Sequence, residues 1–177
     1  MTHDRYDDTL IRSILEGVKT VAMVGASANT VRPSYFVLTY LVAKGYKVFP
    51  INPGRAGHEI AGQRCYASLA DVPEPIDMVD VFRAAEAVPA VLDEVLALEP
   101  LPRVLWLQLG VRNDNEAARA EAAGLTVIQN KCPKIEFGRL SGEISWAGVN
   151  TQRVSAKRPQ RMAGFQRLGI GATKPQP

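Results

Sequence analysis

The chain has 177 residues, of which 46% are hydrophobic and 22% are charged, and its formal net charge is +3. This size and composition are typical of one globular domain, and two cysteines, Cys65 and Cys132, exclude a disulfide scaffold. No apolar stretch reaches the length of a membrane span, and the residues after Met1 do not lead into a signal-peptide core, so we expect a cytoplasmic protein that does not contact a membrane.

Helices and strands alternate along the chain. An amphipathic helix over Asp8–Gly17 precedes an apolar strand over residues 21–24, and a helix over residues 33–44 follows a glycine-containing turn. The later strands are predicted over residues 46–51, 76–82, 104–109 and 125–128, and the later helices over residues 85–98 and 113–124. This alternation predicts an α/β, Rossmann-like fold, a doubly wound and mainly parallel sheet with helices on both faces.

The basic charge is concentrated at the end of the chain. Residues 151–177 contain six arginines and lysines and no acidic residue, which leaves fifteen basic and eighteen acidic residues before them. We therefore predict a domain over residues 1–150 and a basic, flexible tail over residues 151–177. A nucleic-acid-associated protein that uses this tail is one alternative function, but without an interleaved aromatic pattern a solvated terminus is favoured over nucleic acid binding.

The turn after the first strand predicts where an anionic ligand binds. Gly25 permits a sharp turn without a Cβ clash, and Pro33 suits the first turn of a helix because no N–H is needed there. The free N–H groups of that helical turn and the positive end of the helix dipole favour a phosphate.

Ligands of doubly wound folds bind beyond the carboxyl ends of the strands. Four stretches follow strand ends and are expected to line one crevice, namely residues 25–34, 52–57, 82–88 and 108–112. The candidate cofactor-binding residues in them are Gly25, Ala26, Ser27, Arg32, Pro33, Ser34, Asn52, Pro53, Arg55, Phe82, Arg83, Val88, Gln108 and Gly110.

The side chains in these stretches fit a phosphorylated nucleotide. Ser27 and Ser34 offer hydroxyl donors, and Arg32 could pair with a pyrophosphate oxygen. Arg55 is placed for a second phosphate on the adenosine side, while Arg83 could stack or bind phosphate. Phe82 and Val88 are expected to supply apolar surface, and Asn52-Pro53 an extended wall.

An NAD(P)-dependent oxidoreductase, or a fragment of one, is the enzymatic alternative. The fingerprint of such enzymes is G-x-G-x-x-G followed by an acidic residue at the end of the second strand. Here Ser27 stands at the second glycine position, no third glycine follows, and the second strand ends at Asn52. These departures weaken the dinucleotide interpretation.

Six motifs occur in one order along the chain. They are Val24-Gly25-Ala26-Ser27, Arg32-Pro33-Ser34, Asn52-Pro53, Ser68-Leu69-Ala70-Asp71-Val72-Pro73, Val79-Asp80-Val81-Phe82-Arg83 and Trp106-Leu107-Gln108-Leu109-Gly110. Together they resemble the stand-alone CoA-binding domain family, which is similar to the N-terminal CoA-binding domain of the succinyl-CoA synthetase alpha subunit. The resemblance covers about residues 8–140.

The resemblance implies a role for each stretch. Gly25 and Ser27 would belong to the turn that holds the CoA phosphates, and Arg55 would lie near the adenosine phosphate, where the family commonly has a lysine. Residues 82–88 would lie beside the adenine, and residues 108–110 near the pantetheine arm.

We do not expect the resemblance to extend to ligase activity, because these 177 residues show no pattern of a second domain with a phosphorylated histidine, and neither His3 nor His58 lies in a matching context. No catalytic constellation or metal-spaced cluster stands out. We therefore predict a protein that binds coenzyme A or an acyl-CoA as a non-catalytic carrier, sensor or regulator, and a protein partner or a homo-oligomer stays open.

Two further residues carry predictions of their own. Asp80 interrupts an apolar strand and is expected to be buried against backbone groups or a neighbouring arginine. Cys132 is expected to be a buried packing residue, with thiol exchange with CoA as the alternative.

Overall fold

The computed structural model describes His3 and residues 5–142, so the predicted tail over residues 151–177 lies outside the described residues. The strands are β1 (Thr20–Val24), β2 (Lys47–Ile51), β3 (Glu59–Ile60), β4 (Gln63–Arg64), β5 (Met78–Val81), β6 (Val104–Leu107) and β7 (Thr126–Ile128). The α-helices are α1 (Asp8–Gly17), α2 (Pro33–Ala43), α3 (Val88–Leu96), α4 (Asp114–Ala122) and α5 (Pro133–Ser141).

Five parallel strands form the central sheet in the order β2-β1-β5-β6-β7. Since β1 continues into β2 on one side and its other neighbour is β5, the direction of winding reverses between β1 and β5. This switch point is where folds of this kind leave a crevice beyond the strand ends. Pro50 lies in β2, which is an edge strand, as expected for a residue that lacks an N–H donor.

Helices cover both faces of the sheet. The buried side chains of α1, α2 and α5 pack with Val21, Met23 and Trp106 on one face. Those of α3 and α4 pack with Ala22, Leu105 and other strand residues on the opposite face. The strands are apolar on both faces because each face is covered, and the predicted fold class is confirmed.

Two local features differ from the sequence expectations. The sequence predicts that Phe36, Val37, Tyr40 and Leu41 of the helix over residues 33–44 face the sheet. Val37 and Leu41 are buried together with Leu38, but Tyr40 is only partly buried and Phe36 is 50% exposed. The helix is apolar around most of its circumference, so periodicity alone could not separate its two sides. The structure also contains α5, a helix that the sequence pattern did not predict.

Candidate functional site

Gly25 lies at the switch point, directly after β1. Its φ of +84° is in the left-handed region that glycine tolerates, and it packs against the backbone of Phe82 at the end of β5. The N–H of Phe82 donates to the carbonyl of Val24, and the N–H of Gly25 donates to the carbonyl of Ile51 in β2. The turn is therefore fixed from both neighbouring strands.

Asn52 connects the turn after β1 to the turn after β2. Its side-chain nitrogen donates to the carbonyl oxygen of Ala26 at 2.7 Å, and its side-chain oxygen accepts from the N–H of Gly54 at 3.0 Å. Both ends of the amide are thus used in holding the two turns together. An asparagine at this position has a structural role that the sequence pattern did not reveal.

A first cavity of about 590 Å³ opens between these turns and α3. Gly25, Ala26, Ser27, Arg32, Pro33, Ser34, Asn52, Pro53, Phe82 and Arg83 contribute to its lining, together with Ala87, Ala90, Val91 and Glu94 from the segment of α3. Ten of the fourteen predicted residues therefore surround one space, and three of the four predicted stretches meet there.

The lining of the first cavity contains arginine side chains without an ion-pair partner and backbone N–H groups without an acceptor among the described residues. The guanidinium groups of Arg32 and Arg83 have no ion-pair partner among the described residues, whereas those of Arg119 and Arg139 each pair with two carboxylates. No side chain caps the N-terminus of α2, and the N–H groups of Ser27 and Ser34 have no partner in the described part of the chain. Free amides and unpaired cations together favour an anion.

A second, more apolar cavity of about 820 Å³ lies beside the first. Val31, Phe36, Tyr40, Leu109, Ile135 and Cys132 are among its lining residues, and Gln108 lies at its wall. Val31, Phe36 and Leu109, which are the large apolar side chains most exposed in the described residues, all belong to it. Lys134 lies over the rings of Phe36 and Tyr40, with its Nζ 5.9 and 5.6 Å from their centroids.

The two cavities adjoin, because Pro33, Phe82 and Arg83 line both. One space is lined by amides and arginines, and the other by aliphatic and aromatic side chains. A ligand that occupied both would therefore need an anionic part and an apolar or extended part.

Asp80 and Gln108 form a buried pair behind the second cavity. Gln108 Nε2 donates to Asp80 Oδ1 at 2.9 Å and to Oδ2 at 3.1 Å. Burial raises the pKa of Asp80 to about 7, and the hydrogen bond from Gln108 opposes that shift. Asp80 is buried as expected, but its partner is Gln108 rather than a backbone group or an arginine.

Cys132 lies at the start of α5 and is 6% exposed. Burial raises the pKa of its thiol to about 11, so the thiolate that attacks a disulfide is scarce at neutral pH. The structure therefore favours the packing interpretation of this residue over thiol exchange.

Three predicted residues line neither cavity. Val88 is 1% exposed in the core beneath α3, so Ala87, Ala90 and Val91 form the apolar wall that we had expected from it. Gly110 lies in the turn after β6, where its N–H donates to Asn130. Arg55 is exposed at the end of the short 3₁₀ helix Pro53–Arg55, next to the lining residue Pro53.

Most residues of the second cavity are not predicted by the sequence pattern. Phe36 and Tyr40 had been expected to face the sheet, and Lys134, Ile135 and Gly138 belong to the unpredicted α5. The run of apolar residues around all sides of α2 was the one signal that could have indicated a second apolar surface.

The described residues contain no group of three or more histidines, cysteines or acidic residues that could hold a metal ion. Among the helices in the described part of the chain, none has both the length and the apolar character needed to span a bilayer.

The parallel sheet and the cavities beyond its strand ends define a Rossmann-like α/β domain with a crevice at the switch point. The family model described as "CoA binding domain" matches residues 19–138, and the chain belongs to this family. The family predicted from the sequence motifs is thereby confirmed.

Relatives span a range of lengths. The uncharacterized protein YneT of Bacillus subtilis is 34% identical over 125 residues, which cover 71% of this chain and 90% of that protein. The solved structure of cell-free ID.343 from Thermus thermophilus has 39% sequence identity and a TM-score of 0.72, and the match covers 76% of this chain and 98% of that one. The ADP-forming acetate–CoA ligase II of Archaeoglobus fulgidus is 33% identical over 78 residues, which are 43% of this chain and 11% of the ligase.

Proposed function

We propose that this protein binds coenzyme A or an acyl-CoA across its two adjoining cavities and holds it without chemical conversion, as a carrier, sensor or regulator. The supporting observation is the contrast between the cavities. One offers unpaired arginines and free amides, and the other is apolar. Coenzyme A has the same two parts, a phosphorylated nucleotide and a long, uncharged arm.

The diphosphate would lie over the turn after β1. Ser27, Ser34 and the positive end of the α2 dipole lie at the lining of that space, and Arg32 and Arg83 supply charge. Since these arginines have no competing carboxylate partner among the described residues, a ligand phosphate would not have to displace one.

The adenosine would lie along the Asn52-Pro53 wall. Arg55 follows directly on the exposed 3₁₀ helix, where it would meet the 3′-phosphate that distinguishes coenzyme A from its dephosphorylated form. The pantetheine arm would then pass Pro33 and Phe82 into the second cavity, and an acyl group would contact Phe36 and Leu109.

A nicotinamide dinucleotide fits these two cavities less well. Dinucleotide enzymes hold the ribose hydroxyls with a carboxylate at the end of the second strand. Here Asn52 uses both its amide nitrogen and its amide oxygen within the protein. The second cavity also offers mainly apolar side chains where the second nucleotide would need polar partners.

Binding without chemical conversion is supported by the state of two groups at the second cavity, the Asp80 carboxylate behind it and the Cys132 thiol in its lining. The Asp80 carboxylate is completely buried against Gln108, and the Cys132 thiol has a raised pKa. Asp80 interacts electrostatically with Cys132, but its hydrogen-bond partner is Gln108, and no hydrogen bond joins the thiol to this carboxylate among the described residues.

Isothermal calorimetry with coenzyme A, dephospho-CoA and NAD⁺ tests the binding proposal. We expect micromolar or tighter binding of coenzyme A and weaker binding of NAD⁺. Micromolar binding of NAD⁺ with a silent coenzyme A titration would defeat the assignment. Incubation with acetyl-CoA, followed by thiol detection, tests the holding role, because release of free thiol above the uncatalysed rate would indicate an enzyme.

A further inference from the structure

Asp80 lies in the middle of the sheet with one hydrogen-bonding neighbour. It is completely buried in β5, in register with Met23 of β1 and Trp106 of β6. The side-chain amide of Gln108 is the hydrogen-bond partner of its carboxylate among the described residues. A buried carboxylate held in this way restricts its partner strongly, because an unmade hydrogen bond in the interior is costly.

The pair fixes which end of the Gln108 amide faces inward. An ionised carboxylate only accepts hydrogen bonds, so the NH₂ group of the amide must face Asp80. The amide is planar, and its oxygen Oε1 is therefore directed away from the carboxylate. Reversal of the amide would place two acceptors against each other in a buried site.

The oxygen that faces away has no hydrogen-bond partner among the described residues. Gln108 is 6% exposed and lines the second cavity next to Leu109 and Phe82. The apolar wall of that cavity thus contains a hydrogen-bond acceptor, Gln108 Oε1, whose orientation is fixed by the bonds of Nε2 to Asp80. A ligand that satisfies it must present a hydrogen-bond donor at this depth.

We infer that Asp80 is a positioning residue that holds the Gln108 amide with its oxygen toward the second cavity, where this oxygen accepts a hydrogen bond from an amide N–H of a pantetheine arm. The inference rests on the proposed function, since it assumes that the arm enters the second cavity. Pantetheine carries two secondary amides, whose N–H groups are donors of the required kind, whereas a thioester carbonyl can only accept.

The pair also makes the acceptor sensitive to pH. Burial raises the pKa of Asp80 to about 7, so the carboxyl becomes a donor as the pH falls below that value, and the amide of Gln108 can then reverse. Met23 and Trp106, its neighbours on β1 and β6, do not titrate. Cys132 on the α5 side stays neutral across this range because burial raises the pKa of its thiol to about 11.

The test compares coenzyme A with adenosine 3′,5′-bisphosphate, which keeps phosphates but lacks the arm. We expect Gln108→Met and Asp80→Asn each to weaken coenzyme A binding by about three- to tenfold, as for one lost hydrogen bond, with the bisphosphate unaffected. The Asp80→Asn/Gln108→Met double variant should lose no more than Gln108→Met alone, because Asp80 acts through Gln108.

The pH dependence gives a readout that general damage to the fold would not produce. Between pH 8 and pH 6, the wild-type preference for coenzyme A over the bisphosphate should fall by a similar factor relative to the same preference in the Asp80→Asn variant. The bisphosphate carries a 5′-phosphate monoester that titrates at about pH 6, whereas coenzyme A has a diphosphate at this place, so the ratio of the two affinities has a ligand contribution of its own. Both proteins share that contribution, and the difference between their pH profiles isolates the effect of Asp80.

A second buried glutamine gives a matched control. Gln129 Nε2 also donates to an aspartate, Asp114 Oδ1, at 3.0 Å, but its Oε1 accepts from the N–H of Asn113 and the residue lies in neither cavity. Gln129→Met should lower the melting temperature without changing the ratio of the affinities for coenzyme A and the bisphosphate.

The outcomes separate the inference from the proposed function. Three results would overturn the inference and leave coenzyme binding intact. They are additive losses of coenzyme A affinity in the double variant, an unchanged ratio of the affinities for coenzyme A and the bisphosphate in both single variants, and equal wild-type affinities for the two ligands. Absence of wild-type binding to either ligand would instead refute the proposed function.

Discussion

A Cβ atom placed on Gly25 would lie 2.7 Å from the carbonyl oxygen of Phe82, closer than such atoms approach in proteins. The close approach joins the turn after β1 to the end of β5 at the switch point of the sheet. Both residues line the first cavity, so the same contact that completes the core also shapes the proposed ligand site.

The Gly25→Ala substitution tests this contact. It combines a left-handed backbone conformation with a clash against backbone, and we expect a loss of about 2 to 4 kcal/mol in the free energy of unfolding, together with weaker coenzyme A binding. Gly62→Ala is the matched control, since Gly62 has a φ of +75° but no atom within 4 Å of the added Cβ. Urea denaturation should show a loss of about 1 kcal/mol for the control. Equal losses would mean that the contact with Phe82 is not restrictive.

The fold could be predicted from the sequence because its signals are local. Apolar strands, Pro33 and Gly25 each act within a few residues, and alternation then restricts the topology. The helix α5 escaped prediction because its buried side contains Glu136 and Gly138, which hide the apolar period. Glu136 is tolerated there because Arg139 pairs with it, and Arg139 in turn reaches Asp8 in α1.

The site could be predicted only in part, for a different reason. Residues that follow strand ends meet because of topology, so the lining of the first cavity could be inferred from order along the chain. The pairing of Asp80 with Gln108 depends on the register between β5 and β6. The exposure of Phe36 depends on where α5 packs. Such relations between distant segments leave no local pattern.

Removal of either unpaired arginine should weaken coenzyme A binding. Because Arg32 and Arg83 have no ion pair to lose, we expect Arg32→Ala and Arg83→Ala each to cost about tenfold in affinity and to flatten its dependence on salt, with little change in stability. Arg119→Ala is the control, since Arg119 pairs with Asp93 and Glu116 outside both cavities. Calorimetry at two salt concentrations measures both effects. An unchanged affinity in both cavity variants would remove the electrostatic argument.

Arg55 gives a test of the adenosine end. If its guanidinium meets the 3′-phosphate, Arg55→Ala should weaken coenzyme A binding by about tenfold and leave dephospho-CoA binding unchanged. Arg64 is a neighbouring exposed arginine that stacks over the ring of Tyr66, and Arg64→Ala should affect neither ligand. Equal losses for both ligands in the Arg55 variant would contradict a contact with the 3′-phosphate.

The raised pKa of Asp80 also predicts how stability depends on pH. Folded Asp80 releases its proton near pH 7 and an unfolded aspartate near pH 4, so the folded state binds more protons between these values. The contribution of Asp80 to stability therefore falls as the pH rises through this window, by at most about 1.4 kcal/mol per pH unit, and is constant above it. The stability of Asp80→Asn relative to wild type should rise from pH 4.5 to pH 7 in urea titrations.

Asp77 gives the opposite sign and serves as the control. Partial burial would raise the pKa of its carboxyl, but hydrogen bonds from the N–H groups of Lys19 and Thr20 outweigh it and lower the pKa. Its stabilising effect is present above the unfolded pKa and is lost as the pH falls through the folded pKa. Asp77→Asn should therefore be less stable than wild type at neutral pH. A flat difference curve for Asp80→Asn would show that Asp80 does not retain its proton on folding.

The apolar wall of the second cavity predicts a preference for acylated coenzyme. Leu109 is 55% exposed there, and each methylene that a ligand buries contributes about 0.8 kcal/mol. Partial contact of a six-carbon chain should therefore make hexanoyl-CoA bind at least about tenfold more tightly than coenzyme A. Leu109→Ser should reduce this preference and leave coenzyme A binding unchanged, whereas Leu101→Ser, outside both cavities, should not alter it.

Exposed apolar surface can also join two copies of a chain. A concentration-dependent dimer in sedimentation velocity that Leu109→Ser abolishes, with equal binding of both ligands, would assign this wall to self-association instead.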